Sequence, residues 1–231
     1  MWNLNVKVIK VGTCTIDSGN MASPAQAKLK HQLGINGGST VTVIREGSEV
    51  LLVDTGFERE QDLSPKNRER NLQILKTHLR WAGLETKDIT KVFITHFHQD
   101  HIGGIEYFDQ ATWYGYRPAL AKLKDHYLDN FTPLDDGDFI LPQTQILPTP
   151  GHTQTHCSII WSNPRKTIRV IICGDAIINF AALQAGSIWK LNSDFYNVGV
   201  AKESIRNVLK KADILIPGHG QPFFKPVGLK I

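Results

Sequence analysis

The sequence predicts a single α/β domain over residues 1–231, on three observations. Short β-rich runs alternate with segments of helical periodicity along the chain. No low-complexity stretch, linker or convincing repeat interrupts them. A chain of 231 residues can bury about 70% or more of its unfolded surface, so the fold needs no covalent staple.

The elements follow in order. Val6–Val11 reads as a strand. Thr40–Ile44 and Glu49–Val53 form a hairpin around Glu46-Gly47-Ser48, and Asp54-Thr55-Gly56 ends its second arm. Ser64 is placed to cap a helix, Pro65 suits its first position, and Leu72, Leu75, Leu79 and Ala82 follow at helical spacing until Gly83 stops it. Lys91–Thr95 is a short apolar strand. Leu128–Asp138, with Pro133 and Asp135-Asp136-Gly137, reads as a loop. Phe139–Leu141 pairs with Gln145–Leu147, and Cys157–Trp161 with Ile168–Cys173 through a turn at Asn163-Pro164. Ala201–Ala212 places Ala201, Ile205, Val208, Leu209 and Ala212 on one helical face, and Asp213–Ile216 is the last strand.

Bulk properties exclude several classes. The net charge of +4 comes from scattered residues, and neither a dense basic run nor a basic–aromatic stripe speaks for nucleic acid. No stretch approaches ~18 consecutive apolar residues, so no membrane span is expected. Three cysteines without regular spacing argue against a disulfide framework; Cys157 and Cys173 lie in apolar runs as small buried hydrophobes. With no signal-peptide layout at Met1–Lys7, the expected location is the cytoplasm.

Chemistry concentrates in Thr95-His96-Phe97-His98-Gln99-Asp100-His101-Ile102-Gly103-Gly104. Histidine and carboxylate are zinc ligands, and four of them within six residues are hard to explain by packing. On a strand His96 and His98 would share a face. Asp100 and His101 diverge from that pair and can serve a second ion, so the spacing suits two metals. Three more apolar runs end in a glycine followed by a ligand type: Gly151-His152, Gly174-Asp175 and Gly218-His219. Glycine permits the close approach a metal pocket needs, and strand ends are where α/β folds place their sites.

These elements resemble the metallo-β-lactamase-fold hydrolase superfamily: His96-x-His98-x-Asp100-His101, Pro150-Gly151-His152-Thr153, Gly174-Asp175, Pro217-Gly218-His219-Gly220 and, upstream, Val53-Asp54-Thr55-Gly56. The resemblance implies an αββα sandwich with its metals at one edge. It implies one ion held by His96, His98 and His152, a second by Asp100, His101 and His219, and Asp175 bridging both. It makes Asp54 the carboxylate that orients a ligand imidazole. His156 reads as structural, and His31, His78 and His126 as surface or packing residues.

The expected cofactor is two divalent ions, zinc first, with iron or manganese as alternatives. Two dications would present a bridging hydroxide to a carbonyl or phosphorus centre. Asp100 and Asp175 are the catalytic candidates, Asp100 for proton shuttling. The expected partner is a small carbonyl- or phosphate-containing molecule, an ester, lactone or phosphoester; a homodimer is left open. Pocket candidates are Tyr127 and Phe131 on one segment, and Trp189, Phe195 and Tyr196 on another.

Within the superfamily, the β-lactamases proper lack a bridging aspartate like Asp175. Homoserine-lactone lactonases place a Tyr where Ile178 stands, flavin-linked diiron oxygen reductases a Glu where His98 stands, and the segment between Asp175 and His219 is too short for the inserted nuclease domain. The layout is similar to the small group typified by metallo-β-lactamase domain-containing protein 1. The alternatives are a mononuclear iron persulfide dioxygenase of the same fold, a glyoxalase II-like thioesterase and a small RNase.

Overall fold

The computed structural model describes residues 5–13, 38–121, 130–190 and 192–228. Two six-stranded sheets face each other. The first contains β1 (Val6–Lys10), β2 (Val41–Glu46), β3 (Glu49–Val53), β4 (Lys91–Ile94), β5 (Thr112–Tyr116) and β6 (Phe131–Leu134), in that spatial order. β1 to β3 are antiparallel, and β3 to β6 run parallel. The second sheet orders β12 (Phe223–Phe224), β11 (Ile214–Pro217), β10 (Arg169–Gly174), β9 (Cys157–Ser162), β8 (Thr144–Pro148) and β7 (Phe139–Leu141), with only β10 and β11 parallel.

Strand periodicity builds the layers. In β3, Leu51 and Val53 point between the sheets, while Val50 and Leu52 point to the outer helical layer. In β10, Val170 and Ile172 face inward and Ile171 and Cys173 outward. Both sheets are covered on both faces, so their central strands read as unbroken apolar runs. The inner core joins Ile44, Leu51, Val53 and Phe93 to Ile146, Ile159, Trp161 and Ile172.

The helices close the outer faces. α1 (Pro65–Trp81) starts where the Ser64 side chain accepts a bond from the Asn67 N–H, and it lays Leu75 and Leu79 on the first sheet. The short helices α2 (Gln99–Ile102), α3 (Arg117–Leu120) and α4 (Phe180–Gln184) follow. α5 (Val198–Lys211), capped by Asn197, packs Ile205 and Val208 on the second sheet. The αββα architecture inferred from the resemblance is therefore present.

One expectation is corrected. Within the segment read as a loop, Phe131–Leu134 is a strand that pairs with β5. Pro133 does not forbid it, because β6 is an edge strand and needs no N–H on its open side. Burial raises the thiols of Cys157 and Cys173 well above the ordinary range, as suits residues packed in the apolar layers. His31, His126 and Tyr127 lie outside the described residues. Among the described residues no helix is long and apolar enough to cross a membrane.

Candidate metal centre

The C-terminal ends of β3, β4, β8, β10 and β11 converge on one rim and deliver the polar side chains there. Beyond β3 the chain turns sharply: Asp54 has φ +59, a left-handed conformation uncommon for a residue with a side chain. That turn grips α2. The Thr55 N–H and hydroxyl both donate to the His101 carbonyl, at 2.8 and 2.6 Å, and the Phe57 N–H donates to the Asp100 carbonyl. Asp54 itself is buried and accepts three bonds: from the Thr95 N–H (2.9 Å), the Thr95 hydroxyl (2.9 Å) and His101 Nδ1 (2.8 Å). With Nδ1 held on Asp54, His101 Nε2 is turned toward the rim.

Two groups of donor atoms meet on that rim, each within 4.8 Å: His96, His98, His152 and Asp175 in one, and Asp100, His101 and His219 in the other. In the first, His98 Nδ1 lies 2.9 Å from His96 Nε2 and 3.0 Å from His152 Nε2. In the second, Asp100 Oδ2 lies 3.2 Å from His219 Nε2 and 3.6 Å from His101 Nε2. Asp175 stands between them. Its Oδ1 is 3.2 Å from His101 Nε2 and 3.3 Å from His219 Nε2, while its Oδ2 is 3.3 Å from His152 Nε2.

Asp175 is held by a one-way hydrogen-bond chain. Its backbone N–H donates to His156 Nε2 (3.0 Å), and His156 Nδ1 meets the Thr149 hydroxyl (2.8 Å). That hydroxyl lies 2.8 Å from the Ser158 hydroxyl, which donates to the Cys173 carbonyl (2.9 Å). Full burial holds His156 well below the usual imidazole range, in the neutral form this chain requires. Gly218 is a glycine because the carboxylate is so close: a Cβ there would sit 2.0 Å from Asp175 Oδ1.

The electrostatics separate the two groups. Burial, then the neighbouring imidazoles, pushes His96 well below its ordinary pKa; burial takes His152 to about 4. At His101 burial also opposes charge, but Asp100, Asp54 and Asp175 outweigh it and lift the pKa to about 10. At His219 Asp175 and Asp100 likewise overcome burial and raise the pKa. Asp175 and Asp100 are shifted down: the facing imidazoles outweigh their burial.

Divalent cations fit these donors. His101 Nε2 and Asp175 Oδ1 are buried and face each other at 3.2 Å without hydrogen-bond geometry, an arrangement that a cation bound by both would relieve. Imidazole and carboxylate are the hard-to-borderline ligands that zinc, iron and manganese accept.

A family model described as the metallo-β-lactamase superfamily matches residues 34–219. The chain belongs to that superfamily. Metallo-β-lactamase domain-containing protein 1 of Xenopus laevis is 29% identical over 192 residues, covering 80% of this chain and 71% of the relative. A Thermotoga maritima structure described as a metallo-β-lactamase matches with a TM-score of 0.65 at 20% identity, over 96% of this chain and 98% of that one. The Bacillus thuringiensis protein AiiA, solved with N-decanoyl-L-homoserine at its active site, matches with a TM-score of 0.58 at 18% identity, over 78% and 80%. Both structural likenesses speak for the fold. The superfamily is one of metal-dependent hydrolases.

The pocket candidates scatter. Trp189 lines a small cavity with His152 and Asp175. Phe195 is half-buried and Tyr196 exposed, on a segment whose Tyr196 N–H donates to the Gly151 carbonyl. Phe131 is buried in the first outer layer against Phe97 and Trp113. Two residues at the site escape sequence reasoning. Thr95 links Asp54 to the imidazoles, and its position beside His96 could have suggested it. Asp194 lies 2.9 Å from His98 Nε2, and no spacing signals it.

Proposed function

We propose that this chain is a dinuclear metal-dependent hydrolase acting on a small ester, lactone or phosphoester. The observation that carries the proposal is Asp175, whose two carboxylate oxygens face different donor groups. His96, His98 and His152 would hold one ion, Asp100, His101 and His219 the other, and Asp175 both. Zinc is the metal this donor set suits best. When bound, the ions would supply Lewis-acid activation of a water and of a substrate oxygen.

The chain's own residues do the rest. Asp54 keeps the His101 proton on Nδ1, and the Thr149–His156 chain keeps the Asp175 backbone in place. Asp100 sits at the rim with Oδ2 3.2 Å from His219 Nε2, so it is the carboxylate placed to relay a proton as the scissile bond is attacked. Trp189, which lines a small cavity with His152 and Asp175, would offer an apolar surface to the rest of the substrate. A mononuclear iron dioxygenase would leave Asp100, His101 and His219 gathered to no purpose, which disfavours that alternative.

The test is a panel of ester, lactone, thioester and phosphodiester substrates run on zinc-loaded protein beside His96→Ala. Turnover of at least one class, lost by about 10³-fold or more in the variant, is expected if the ions stabilise the transition state's charge. Oxygen uptake with a persulfide and no hydrolysis would overturn the proposal.

A further inference from the structure

Of the seven rim side chains, His98 is held least by packing. Its side chain is 25% exposed, whereas those of His96, His101, His152, Asp175 and His219 are at most 6% exposed. A ring that can turn must be fixed by its hydrogen bonds. For two of the other rings the far nitrogen is anchored on the protein: His101 Nδ1 on Asp54, and His219 Nδ1 on the Thr13 carbonyl at 2.9 Å. For His98 the anchor is Asp194, ninety-six residues along the chain, with Oδ1 2.9 Å from Nε2. A carboxylate can only accept there, so Nε2 carries the proton and Nδ1 turns its lone pair to His96 Nε2 and His152 Nε2.

Asp194 is itself placed. The Asn192 side-chain amide donates both to Asp194 Oδ1 (2.8 Å) and to the His152 carbonyl (2.9 Å). His98, Asp194, Asn192 and His152 thus close a loop around one donor group, tying to it the segment that carries Trp189, Phe195 and Tyr196.

We propose that Asp194 is a positioning residue for the His96–His98–His152 group, fixing His98 in the tautomer that presents Nδ1 to a metal ion. The inference rests on the two-ion reading above. It is tested by zinc competition with a chromophoric chelator on wild type, Asp194→Ala and Asp194→Asn, together with ¹⁵N spectra of the His98 ring. In wild type the ring should carry its proton on Nε2. Asp194→Ala should weaken one of the two zinc equivalents by about 10–100-fold, the usual effect of losing a partner behind a ligand histidine, and leave the other alone. Asp194→Asn, whose Oδ1 can still accept, should restore affinity to within a few-fold. Because Asp194 is 55% exposed, the melting temperature of chelator-stripped protein should not fall in either variant. Unchanged affinity at both equivalents in Asp194→Ala, or an asparagine variant as weak as the alanine one, would overturn the role of Asp194. Wild type that takes up no zinc would instead overturn the two-ion reading beneath it.

Discussion

Asp175 and Asp54 set the site residue by residue, and each makes a prediction. Asp54→Asn keeps the size but loses an acceptor facing either the Thr95 N–H or the Thr95 hydroxyl and His101. Metal affinity at the Asp100–His101–His219 group should fall by about 10–100-fold, read by zinc competition. Gly218→Ala drives a Cβ to 2.0 Å from Asp175 Oδ1 and 2.9 Å from the Gly174 backbone, so the carboxylate and the end of β10 must both shift; zinc uptake should fall, and the melting temperature with it. His101 gives a pH dependence in chelator-stripped protein. Its folded pKa of about 10 lies above the unfolded value of about 6.5. The stability it contributes is therefore full below about pH 6.5 and is lost as pH rises through about 10. Thermal melts between those limits should show a fall that His101→Gln flattens. At this scale the sequence was informative because ligand types are rare and clustered: His96 to His101 declare themselves. Asp194 does not, because it meets His98 only after the chain has folded, and a lone aspartate in a polar segment carries no pattern.

The elements were legible where local rules and burial agree. α1 has a cap, a proline at its first position, an apolar stripe and Gly83 with φ +74 just beyond its end, and each is visible in the sequence. α5 begins at Val198, three residues before the expected Ala201, because Asn197 caps it across the helix-poor Val198-Gly199-Val200. β5 carries no clear sequence signal because Gly115 interrupts its run, and β6 none because Pro133 reads as a breaker unless the strand is known to lie at an edge. The role of α1 is packing. Leu79, fully buried in the outer layer, should cost about 2–5 kcal/mol in urea unfolding when changed to alanine. Zinc stoichiometry in the same variant should not change, because no rim residue lies on α1.

The whole molecule explains why seven candidate donor side chains drawn from four stretches of sequence meet. Two sheets packed face to face bring the ends of β3 and β4 on one side against those of β8, β10 and β11 on the other. The rim at their seam therefore receives residues from both halves of the chain. Sequence periodicity could place each ligand at the end of a run; it could not state which runs are neighbours, and here the family resemblance supplied the topology. On the proposed reading the rim holds two ions that share Asp175. The most direct test is a zinc titration of chelator-stripped protein followed by elemental analysis, on wild type and His219→Ala. Two equivalents per chain are expected in wild type and one tight equivalent in the variant. A single equivalent in wild type, unaffected by His219→Ala, would contradict that reading.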